Sequence, residues 1–167
     1  MSGCSSGGIV SRTANLLSGG STAAVLYQRF LNVVVVDSSA PIRSTYSSAL
    51  TTASPALSDD ACAFQWFYYE ALHFTVAVNG SFAFYSKSKM DTFGVIHKES
   101  FDPSSPSVNQ VADDDDSCGS KQFSVRISLE ANTMYVLVVT TARPVELGRF
   151  NIIIRGPANV PFQRIGE

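Results

Sequence analysis

Charge is scarce in this chain. Only 16% of its 167 residues are Asp, Glu, Lys or Arg, against the usual quarter. Histidine is scarcer, with His73 and His97 alone. No G-x-S-x-G, H-E-x-x-H or paired-cysteine metal motif occurs, so neither a nucleophile elbow nor a zinc site is written in the sequence. The chain is therefore expected to be non-catalytic. No run of eighteen apolar residues exists, so no membrane-spanning segment is expected. A net charge of −2 without a basic patch argues against a nucleic-acid partner. Met1 is followed by S-G-C-S-S-G-G, with neither a basic segment nor a clean apolar one, which fits a processed or truncated chain.

What is present points to β-structure. The chain is 45% hydrophobic and 11% aromatic, enough for a real core. Ser and Thr fill the polar positions. Much Val, Phe, Ser and Thr with little charge is a composition of extracellular β-proteins and a poor one for helix bundles. The length fits one domain plus an extension. Residues 1–43 are expected to form an N-terminal arm and residues 44–167 the domain.

Within the arm, residues 1–22 are rich in Gly and Ser, as in a flexible linker. Residues 24–36 read as an apolar strand ending at D-S-S. From Ser44 the pattern is regular. S-T-Y-S-S-A-L-T-T-A-S is a polar strand suited to a sheet edge, and P-A-L-S-D-D-A-C-A is a loop. W-F-Y-Y-E-A-L-H-F-T-V-A-V follows as one strand, with Leu72, Phe74, Val76 and Val78 on its apolar face. Asn79-Gly80 signals a hairpin into S-F-A-F-Y-S-K, with Phe82 and Phe84 inward. D-T-F-G-V-I-H-K-E is the next strand. A Pro-rich loop leads to V-N-Q-V-A and the acidic turn D-D-D-D-S-C-G-S. F-S-V-R-I-S-L alternates cleanly. M-Y-V-L-V-V-T-T is apolar on both faces, as a central strand should be. R-F-N-I-I-I-R alternates again, and V-P-F-Q-R-I can add a last strand. No segment has a convincing 3.6 period. The expectation is an all-β antiparallel β-sandwich of about eight strands. Pattern alone does not separate a jelly roll from an immunoglobulin-like topology.

The order of motifs over residues 66–157 resembles the bacterial pre-peptidase C-terminal domain and related modules of secreted proteins. The carrying residues are Asp91 before its strand, the acidic turn Asp115-Asp116-Ser117 with a displaced Gly119, and the strand with Tyr135, Leu137 and Val139. Cys118 interrupts the turn, and the module follows an unusual extension rather than a protease. The resemblance implies a jelly-roll sandwich, usually non-catalytic, some relatives binding collagen or carbohydrate and some calcium.

Candidate sites follow from residue chemistry. Four adjacent carboxylates, Asp113, Asp114, Asp115 and Asp116, repel one another unless water or a cation intervenes. Calcium takes six to eight oxygens, so Asp91 or Glu99 is a candidate helper. The alternative is a solvated acidic turn. No other cofactor is expected. Cys62 and Cys118 are candidates for a disulfide in an oxidising compartment, against free buried thiols, and Cys4 is left over. Asn79 heads the sequon N-G-S and is a glycosylation candidate. Trp66, Phe67, Tyr68 and Tyr69 fit an inner strand better than a sugar platform, with Tyr68 the sugar candidate if it points outward.

The apolar strand carries the functional expectation. Leu26, Phe30, Leu31, Val33, Val34, Val35 and Val36 are too many apolar side chains to leave in water. They pair within their own domain or complete a second copy by strand addition. A head-to-tail contact of the second kind builds a filament. The leading expectation is an extracellular structural subunit that polymerises with copies of itself. The alternative is a module binding carbohydrate, collagen or calcium within a larger secreted protein.

Overall fold

A computed structural model describes residues 40–58, 65–117, 119 and 121–165. The chain divides into two units, Met1–Ser38 and Ser39–Glu167. The apolar strand 24–36 with all its assembly candidates, and Cys4, Cys62 and Cys118, lie outside the described residues.

Eleven strands are present among the described residues: β1 (Ile42–Leu50), β2 (Ala56–Ser58), β3 (Trp66–Tyr68), β4 (Glu70–Phe74), β5 (Gly80–Ser88), β6 (Thr92–Lys98), β7 (Gln110–Asp114), β8 (Ser124–Leu129), β9 (Tyr135–Thr141), β10 (Gly148–Gly156) and β11 (Gln163–Arg164). They form a four-stranded sheet ordered β1-β10-β5-β8, a five-stranded sheet ordered β11-β4-β9-β6-β7, and the small pair β2-β3. All pairings are antiparallel. The chain swaps sheets at almost every step between the eight main strands, and only β6 to β7 stays within one sheet. That is a jelly-roll sandwich.

Alternation puts the core between the sheets. Phe82 and Phe84 of β5, Val125 and Leu129 of β8, and Ile152 and Ile154 of β10 face Leu72 and Phe74 of β4, Ile96 of β6, and Leu137 and Val139 of β9. β9 is buried along its whole length, as a central strand without a polar face requires. Its second face joins a smaller cluster of Val136, Val138, Val95, Ala71 and Tyr69, with Leu57, Phe93 and Phe101 packed against it.

Several local expectations are corrected. Asn79-Gly80 does not close a hairpin, because β4 and β5 belong to different sheets. There Asn79 Oδ1 accepts from the Ala131 amide at 2.7 Å, and a Cβ on Gly80 would lie 2.6 Å from Pro157 Cγ. The aromatic run is not one inner strand. It breaks at Tyr69 into β3 and β4, and Val78 is 43% exposed beyond the end of β4. The expected loop 55–63 contains β2, which pairs with β3. β1 starts at Ile42, inside the expected arm, and it is an edge strand as its polar sequence suggested.

Candidate cation site at the end of the five-stranded sheet

Asp91 immediately precedes β6, on the connection that crosses from β5. That connection is tightly held. Gln122 Nε2 donates to the Met90 carbonyl at 2.9 Å, and Gln122 Oε1 accepts from the Ser88 amide at 2.6 Å. The Ser86 and Thr92 hydroxyls share a buried hydrogen bond of 2.6 Å. The Ala142 amide donates to the Asp91 carbonyl at 2.9 Å, and the Asp91 amide donates to Glu146 at 3.3 Å.

The β6–β7 register brings the other acids to the same place. Gly94 pairs with Asp114, so the residues after Asp114 run back beside Phe93, Thr92 and Asp91. Carboxylate oxygens of Asp91, Asp115 and Asp116 lie within 4.8 Å of one another. Asp91 is only 8% exposed. Its Oδ2 lies 3.5 Å from Arg143 Nε, while its Oδ1 is buried without a hydrogen-bond partner. A buried carboxylate oxygen with no donor is costly. Partial burial, then repulsion from Asp116, Asp91 and Asp114, pushes the Asp115 carboxyl above its ordinary range. A divalent ion among these oxygens would relieve both costs at once. The chemistry of the set, hard oxygens only, fits calcium or magnesium and not a soft metal.

The remaining acidic candidates are used otherwise. Asp114 Oδ2 accepts from the amides of Ser117 at 3.1 Å and Ser124 at 2.7 Å, and the Ser117 hydroxyl donates to its Oδ1. It is the brace of the turn. Asp113 accepts from Gln110 Nε2 at 2.9 Å on the exposed edge of β7. Glu99 sits beyond the other end of β6 from Asp91. The five-acid cluster read from the sequence is thus a three-acid cluster.

Other candidates separate in the same way. His97 is buried, and its Nδ1–H donates to the Val108 carbonyl at 3.0 Å with the ring against Phe101. Burial holds its pKa below the ordinary imidazole value. It braces the β6–β7 loop. Tyr68 is half-buried and packs on the main core, so it offers no open sugar platform. Trp66, 51% exposed, is the outward aromatic. Phe67 lines a groove of about 800 Å³ with Leu57, Phe93, Pro103 and Pro106, and Asp115 stands at its wall. Asn79 is exposed.

Sequence reading missed Glu70. It is buried at the start of β4, where the Tyr46 hydroxyl, the Ser48 hydroxyl at 2.7 Å and Arg164 Nη2 at 2.9 Å all donate to it. Only its place at the head of a largely apolar strand could have marked it. No protein-family model matches the chain, and no curated protein matches it. No helix among the described residues is long and apolar enough to cross a membrane.

Proposed function

We propose that the chain is a non-catalytic extracellular module whose jelly roll is locked by calcium at Asp91, Asp115 and Asp116. The observation that carries this reading is the buried, unpartnered Oδ1 of Asp91 beside two further carboxylates. The cation would join β6, β7 and the Asp91 connection at one end of the five-stranded sheet. Calorimetric titration of the full chain with calcium tests it. Saturable binding that Asp91→Asn and Asp115→Asn each weaken at least tenfold supports the reading. Wild-type and Asp91→Asn chains with identical titrations and melting curves would overturn it.

A second reading concerns assembly with copies of the chain. It is supported by β1, a nine-residue edge strand with a single neighbour, β10, among the described residues. Such an edge presents unpaired backbone groups to an incoming strand. Residues 24–36 of another copy would supply that strand and give a head-to-tail homopolymer. Light scattering on the full chain, with and without a peptide of residues 26–36, tests it. Growth that the peptide blocks and Val34→Asp abolishes supports the filament. A chain that stays monomeric at high concentration rules it out.

A further inference from the structure

The chain contains no basic run, and its sequence gave no sign of a basic patch. The strand register builds one. β1, β10, β5 and β8 contain no Asp or Glu. Arg43 pairs with Arg155, Arg155 with Ala83, and Ala83 with Arg126. One row across the four-stranded sheet therefore carries three arginines, all on exposed positions of the face turned away from the core. At the other end of that face, Lys87, Lys89 and Arg149 line a hollow of about 560 Å³, three cations against one acid, Glu146, whose carboxylate accepts from the Asp91 amide. Arg126 and Arg155 line a hollow of about 480 Å³ at the first end. None of the six is ion-paired to an acid among the described residues, whose salt bridges use Lys98, Arg143 and Arg164 instead.

Between the two ends the face is neutral. Ile153 pairs with Tyr85 there, flanked by Thr45 and Ser124. The Arg155 guanidinium lies 5.9 Å from the centre of the Tyr85 ring, and Arg126 Nη2 donates to the Tyr85 hydroxyl at 3.3 Å. Six residues of strand separate Arg155 from Arg149, about 20 Å at the usual rise.

We infer that this outer face binds an acidic polysaccharide along the strands, its carboxylate or sulfate groups held by the arginine row and by the lysine end. Arginine presents a planar fork suited to such oxyanions. A half-buried tyrosine between them offers a ring face to a sugar and a hydroxyl to its polar edge. The Thr, Ser and Asn side chains of the neutral stretch suit hydroxyls. Nucleic acid fits less well. A single strand carries a negative charge about every 3.4 Å, and several would lie over the uncharged middle. Sparse charge on a hydroxyl-rich chain matches sparse cations on a hydroxyl-rich face.

The site is on the sheet opposite the acidic cluster and does not depend on the cation reading. Fluorescence anisotropy on the full chain tests it with three labelled probes: a hyaluronan octasaccharide, which carries one carboxylate per disaccharide, a neutral dextran oligosaccharide and a twelve-nucleotide single-stranded DNA. The hyaluronan probe is expected to bind at least tenfold more tightly than either of the others. Its affinity should fall steeply with added salt and be unchanged by a chelator. Arg43→Ser/Arg126→Ser/Arg155→Ser should weaken it at least tenfold with an unshifted melting temperature, and Lys87→Gln/Lys89→Gln should do so at the other end. Lys98→Gln, on the other sheet, is the control and should change nothing. Absent binding of the hyaluronan probe, DNA binding as tightly as it, or both multiple variants binding like wild type would overturn the proposal.

Discussion

The phenol of Tyr46 on β1 donates a hydrogen bond to the carboxylate of Glu70 on β4, and so ties the edge strand of one sheet to the other sheet. Arg164 and Ser48 donate to the same carboxylate, and Phe162 packs edge-on against both Tyr46 and Phe74. The pairing lets a charged group close the end of an apolar core. Burial, then the neighbouring Glu70 carboxylate, pushes the Tyr46 hydroxyl above its ordinary pKa.

Glu70→Ala removes a buried carboxylate from Arg164 and takes the acceptor from both hydroxyls. A loss of about 3 kcal/mol is expected from breaking a buried pair. Tyr46→Phe keeps the ion pair and should cost only about 1 kcal/mol. Urea denaturation of the two variants checks the ratio. Equal losses would mean that the phenol, not the ion pair, carries the contact.

Gly156 ends β10 against the ring of Phe82. A Cβ there would lie 2.2 Å from Phe82 Cδ1, and Phe82 is fully buried. Gly156→Ala therefore forces the ring or the strand to move, at an expected cost of about 1–3 kcal/mol. Adding Phe82→Leu, which shortens the obstructing side chain, should recover part of that loss. Denaturation midpoints of the single and double variants decide the point.

The sandwich was legible because alternation is a local signal. Phe123, Val125 and Leu129 announce an inward face, and β9 announces its central place by having no polar side. The sheet-swapping topology was not legible in the residue pattern, because pairing between β1 and β10 or β5 and β8 joins residues far apart in sequence, and the jelly-roll expectation came from the resemblance alone. The same blindness explains Asn79-Gly80, where a strong turn signal connects two sheets. At the acidic site the residue types were visible, but not their division. Asp114 is drawn away by Ser117 and Ser124, and the register selects Asp115 and Asp116 to meet Asp91. The arginine row was hidden for the same reason, its members coming from three strands.

His97 titrates against the fold. Burial lowers its folded pKa beneath the ordinary value of about 6.5. Below that value the unfolded chain takes up a proton that the folded chain resists. Stability is thus full above pH 6.5 and declines as pH falls toward the lower folded pKa, by at most about 1.4 kcal/mol per pH unit for one proton. His97→Gln should remove this slope between pH 6.5 and 5 in calcium-saturated protein. A slope that survives the substitution assigns it to other groups.

Asp115 acts in the opposite sense. Its folded pKa is raised, so the folded chain holds that proton more tightly than the unfolded one. Its favourable contribution is full below the ordinary carboxylate range and is lost as pH rises through 3.8 and beyond. At neutral pH the cation-free cluster is therefore a burden on the fold, and a calcium ion bound there would remove it. The rise in melting temperature produced by millimolar calcium should grow between pH 4 and pH 7, since binding to the folded state alone stabilises it. The difference between calcium-loaded and chelated protein at each pH cancels the histidine effect, because His97 lies near the far end of β6. In Asp115→Asn the calcium effect should shrink, and the chelated variant should melt above chelated wild type at pH 7. If the chelated variant melts lower instead, Asp115 stabilises the turn as an ordinary solvated carboxylate, and the cluster is no cation site.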